Sequence, residues 1–181
     1  MLLIAALATA LAAGPARPIL LGEAMRQFSL PAINEDAARA IVGKSQVTLA
    51  DFAASSPIRP AKVLVVYVFS RDAGAEVLPL LERAQKKHGA RGVQVLAIST
   101  DTGDLGGLST WVEGQKLSFP VLRDNHRIAV ARLGLPETPL FILVDDAGDV
   151  FALGRPGPDA EGELDALIAG QLTRPPGGDP R

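Results

Sequence analysis

A catalytic chain needs a nucleophile, a base or a set of metal donors, and this sequence offers few of them. It contains no cysteine and two histidines, His88 and His126. Thiolate nucleophiles, disulfides, iron–sulfur clusters and lipid attachment through cysteine are therefore excluded for this chain acting alone. A histidine-rich metal centre is not expected either. Ser70-Arg-Asp-Ala-Gly-Ala75 lies between an apolar heptapeptide and a helical pattern. Ser70 is its only hydroxyl, and serine attacks only beside a base; His88 stands a whole helix away. Ser70 or Asp72 is read instead as the N-cap of the next helix. Arg71 with backbone N–H groups near Gly74 could hold a small anion, against the plainer reading of a solvated surface arginine. Asp101, Asp104 and Asp124 fall in loops that could gather a metal, although turn and capping roles explain each one singly. Asp145, Asp146 and Asp149 read as turn residues, and Tyr67 and Trp111 as packing. No catalytic residue, metal site or cofactor is assigned.

The elements that must position these residues alternate between strand and helix. Val63-Leu-Val-Val-Tyr-Val-Phe69 is an unbroken apolar run rich in β-branched and aromatic residues, as in a strand buried on both faces. A helix over 73–88 follows, with Val77, Leu78, Leu81 and Ala84 on one face and Glu82, Lys86 and Lys87 on the other. Pro79 falls inside that span, where proline removes a hydrogen bond and crowds the carbonyl four residues back. Gly89 and Gly92 stop the helix. Val93–Ser99 is a second buried strand, which makes a right-handed parallel unit with the first. Residues 105–116 form a helix weakened by Gly106 and Gly107, 119–122 an extended piece, and 125–133 a short helix ended by Gly134. Leu140–Val144, a turn at 145–148 and Val150–Leu153 form a hairpin, followed by an amphipathic helix over 160–172. Residues 19–62 read as an irregular lead-in with β-prone pieces at 28–31 and 47–49, and with Pro57 and Pro60 marking a linker. The fold class is α/β, a central mixed sheet with helices on both faces and an N-terminal extension.

With 181 residues, 48% of them hydrophobic, the chain is long enough for one ordinary domain with a real core. Eighteen basic against 20 acidic residues leave no electrostatic footprint for nucleic acid. Met1–Ala13 is apolar and small throughout, too short to span a bilayer, and its Ala8-Thr-Ala10 and Ala10-Leu-Ala12 have the small-x-small form of a signal-peptidase site. Residues 1–18 are read as leader and linker of an exported, periplasmic protein; a cytoplasmic chain with an Ala-rich core helix is the alternative, since no Lys or Arg precedes the run. Residues 19–172 form the domain. The remainder, 173–181, includes Arg174-Pro-Pro-Gly-Gly-Asp-Pro-Arg181, which lacks apolar side chains and reads as a disordered tail.

Several pieces in this order resemble the redoxin or alkyl hydroperoxide reductase/thiol-specific antioxidant family, over about residues 20 to 172. They are Phe28-Ser-Leu-Pro31 with Val47-Thr-Leu-Ala-Asp-Phe52, the strand Val93–Asp101, Phe119-Pro-Val-Leu-Arg-Asp124, Ala131-Arg-Leu-Gly-Leu-Pro-Glu-Thr-Pro139 and Phe141-Ile-Leu-Val-Asp-Asp-Ala-Gly148. The resemblance implies a thioredoxin-like fold in which Pro79 lies one turn beyond the redox motif. It also implies a cis Thr138–Pro139 bond facing that motif, with neighbouring backbone groups left to pair with a bound peptide. The two redox cysteines of such proteins would fall at Arg71 and Gly74; in the one-cysteine peroxidase branch the threonine and cysteine would fall at the same places. None of these residues is present. Ser70, Arg71, Asp72, Ala73 and Gly74 are thus a degenerate redox motif, and Thr138 and Pro139 line the groove. The resulting expectation is a non-catalytic binding or chaperone-like module that takes a protein or peptide at the groove. The alternatives are a thiol or peroxide oxidoreductase, as the resemblance alone implies, and a passive structural domain of an envelope assembly.

Overall fold

The computed structural model describes residues 17–56, 60–135 and 137–174. The leader expected at 1–13 and all but the first two residues of the expected tail lie outside the described residues, as does Pro57. The lead-in is more ordered in plan than its sequence suggests. Strands β1 (Ser29–Pro31) and β2 (Gln46–Thr48) pair antiparallel as a small sheet of their own. Between them runs α1 (Glu35–Val42), a helix absent from the sequence reading. Its signals are present: Glu35 and Asp36 sit in the first turn, where the dipole favours them, and Gly43 closes the end at φ 75°.

The main sheet is built around β3 (Val63–Phe69), buried at every residue. β3 pairs in parallel with β4 (Val93–Ser99), and β4 in parallel with β5 (Val121–Arg123). On its other edge β3 runs antiparallel to β6 (Leu140–Asp145), which forms the hairpin with β7 (Val150–Gly154). The strand order is β5-β4-β3-β6-β7, with the apolar heptapeptide in the middle. β5 starts later than expected because Pro120 has no N–H to give the ladder. Asn34 covers the gap instead, donating to the Phe119 carbonyl at 2.9 Å and accepting from the Val121 N–H at 2.7 Å.

Alternation along β3 sorts the core into two layers. Val63, Val65, Tyr67 and Phe69 face one layer, closed by α2 (Leu78–His88), α3 (Leu105–Gly114) and α5 (Ala160–Thr173). Leu64, Val66 and Val68 face the other, closed by the lead-in, α1 and α4 (Ile128–Leu133). Helices therefore cover both faces, as expected. Several element ends need correction. α2 begins at Leu78 rather than 73, so Pro79 lies in its first turn, where the missing N–H is one that would go unpaired anyway. Neither Ser70 nor Asp72 caps it, since Val77 holds the N-cap position without a side-chain bond. α4 likewise starts after Arg127, whose φ of 54° turns the chain into it, and α5 continues through Thr173. No helix among the described residues is long and apolar enough to cross a membrane.

Across one face, α2 and α5 are joined by charge. Arg83 grips Glu161 through two hydrogen bonds of 2.9 and 2.7 Å. Lys87 donates to Asp165 at 2.5 Å, and the buried His88 meets the same carboxylate through Nε2 at 2.8 Å. The Lys87 hydrogen bond, and behind it the one to His88, hold the Asp165 carboxyl below its ordinary 3.8 against the opposing effect of burial. A carboxyl lowered on folding adds stability above its unfolded value, and that stability disappears as pH falls through the lower folded value. We expect Asp165→Asn to cost about 1 kcal/mol at pH 7 and to cost progressively less below pH 3.8, read from urea unfolding at a series of pH values. An unchanged gap between variant and parent across that range would contradict it.

Candidate functional site

The C-terminal ends of the three parallel strands lie level, with Phe69 opposite Ser99 and Ser99 opposite Arg123. Ligands of open α/β sheets settle outside such ends. The segment that leaves β3 does not run straight into a helix. Ser70 and Ala73 exchange backbone hydrogen bonds of 3.0 and 3.1 Å around Arg71-Asp72, closing a tight turn. Gly74 then swings to φ 93° and opens a short 3-10 turn at Ala75–Val77 before α2 starts. The 3-10 turn runs directly into α2, so helical backbone begins right after Gly74. The Ala73 N–H is given to the Ser70 carbonyl.

Gly74 is the point where the site closes. Tyr67, two residues before the end of β3, donates its hydroxyl to the Gly74 carbonyl at 2.9 Å. Its ring packs against Phe141 at 4.8 Å and stacks on Phe69 at 5.7 Å. Burial, and after it the charge of Glu76, push the phenol well above its ordinary value, so it stays a neutral donor. The Thr138–Pro139 peptide is cis. A methyl group built on Gly74 would stand 2.3 Å from the Tyr67 hydroxyl and 2.6 Å from Cβ of Pro139. Gly74 thus lies against Pro139, with its side-chain space already filled. The sequence reading gave Tyr67 a packing role only. Its position on the β3 face shared with Phe69 and Val65 is the signal that it points toward the site.

Arg71 is tied to the next loop. Its backbone N–H donates to both oxygens of Asp101, at 3.2 and 3.1 Å, and its guanidinium Nε stands 3.7 Å from the same carboxylate. Asp101 also accepts the Ser99 hydroxyl at 2.6 Å, so it fastens the turn after β3 to the end of β4. The other aspartates are spread among separate tasks. Asp104 caps α3 by accepting from Gly107 at 2.7 Å, and Asp124, buried, accepts from Val130 at 3.0 Å at the start of α4. The Asp145 side chain holds the hairpin turn through the N–H groups of Ala147 and Asp149. Among the described residues no group of three side chains could hold a metal ion. His88 is committed to Asp165 and gives Ser70 no base, while His126 pairs with Asn125 at 3.2 Å. Of the residues expected at the site, the structure sets Gly74 against Pro139, and it leaves both histidines out.

Comparison with known proteins agrees with this fold. A protein assigned as a thiol:disulfide interchange protein DsbE, from Chlorobium tepidum, superposes with a TM-score of 0.70 at 20% identity, covering 85% of this chain and 99% of its own. An uncharacterized conserved protein from Geobacillus kaustophilus gives 0.70 at 16% identity, covering 93% and 90%. A secreted disulfide oxidoreductase from Mycobacterium tuberculosis gives 0.59 at 18% identity, covering 79% and 95%. At these identities the likeness speaks for the fold, which is thioredoxin-like. No curated protein matches the chain. The AhpC/TSA family profile matches residues 21–152. With that match over most of its length, the chain belongs to the AhpC/TSA family, and it does so without a cysteine.

Proposed function

We propose that this protein is a non-catalytic binding or chaperone-like member of its family, exported to the periplasm, that receives an extended protein segment in the groove between the Arg71–Gly74 turn and Thr138-Pro139. The observation that carries the reading is the filled space at Gly74. Loss of cysteine alone leaves open a site waiting for some other nucleophile, whereas here the Tyr67 hydroxyl and the Pro139 ring occupy the volume a reactive side chain would need. Fold without a site does not carry chemistry. A peptide ligand suits what is left, because β6 begins at Leu140 and Thr138 makes no hydrogen bond to another described residue. Extended segments bind such edges through main-chain pairing, with alternate side chains seated in pockets. Export is supported by the apolar run and small-x-small sites of residues 1–13 and by a secreted structural neighbour.

Insulin tests both halves of this reading. Alone with insulin and a catalytic supply of reductant, the protein is expected to produce no turbidity beyond a protein-free control, and with hydrogen peroxide no consumption. With excess dithiothreitol, which frees the aggregating B chain chemically, it is expected to delay turbidity, and Thr138→Arg is expected to abolish the delay. Turnover above the control overturns the non-catalytic assignment, and an unaltered aggregation time overturns the binding one. Independently, Gly74→Ala should destabilise the fold by about 3 kcal/mol through positive-φ strain and overpacking. Tyr67→Phe in that background should recover part of the loss by removing the nearest atom. Denaturant midpoints measure both, and a neutral Gly74→Ala would mean the space is not filled.

A further inference from the structure

No further inference is drawn: the strongest candidate, the outer edge of the sheet along β7 with the exposed Leu20 and Leu21 beside it, is an apolar surface, and nothing in the structure shows what covers it.

Discussion

Burial of Val63–Phe69 between two apolar layers leaves its backbone no water to pair with, so both edges of the strand must be met by neighbours. Each buried N–H or C=O left unmet would cost about 1–3 kcal/mol. That requirement sets the rest of the architecture. β4 takes one edge in parallel and β6 takes the other antiparallel, and the loops at the end of β3 have one place to go. Because β6 enters the sheet at Leu140 opposite Val68, Pro139 arrives beside the turn that leaves β3. The meeting of Gly74 and Pro139 follows from the pairing register and needs no attraction of its own.

Within that frame the electrostatics of the site differ from those a thiol would need. The Ala73 N–H is spent on the Ser70 carbonyl and that of Arg71 on Asp101, and helical backbone begins only after Gly74, with the 3-10 turn that leads into α2. A neutral phenol stands where a nucleophile would, buried and with its proton directed at the Gly74 carbonyl. Arg71 is drawn sideways by Asp101, toward the loop after β4. The polar groups of this corner thus hold loops to one another.

The central strands, the hairpin and the amphipathic face of α2 are legible in the sequence because each reflects burial, which apolar spacing reports directly. The starts of elements are less legible, and Pro79 shows why. Proline is compatible with a helix interior at a cost and with a first turn at none, and composition alone does not say how far the preceding turn extends. α1 was hidden by its brevity, although its acidic first turn and Gly43 mark both ends. The cis Thr138–Pro139 bond was foreseen through the family resemblance. The role of Tyr67 was not, since it depends on register between β3, Gly74 and Pro139, which no single stretch encodes.

The Tyr67–Gly74 contact also has an evolutionary reading. Replacing glycine 74 by any L-residue meets an oxygen and a proline ring at well under contact distance, in a backbone conformation those residues avoid. A cysteine introduced at 74 by one codon change would therefore give a less stable protein, and removing the tyrosine first would give up a buried hydrogen bond. The contact thus acts as a steric lock: a side chain at 74 requires a second, compensating change at 67.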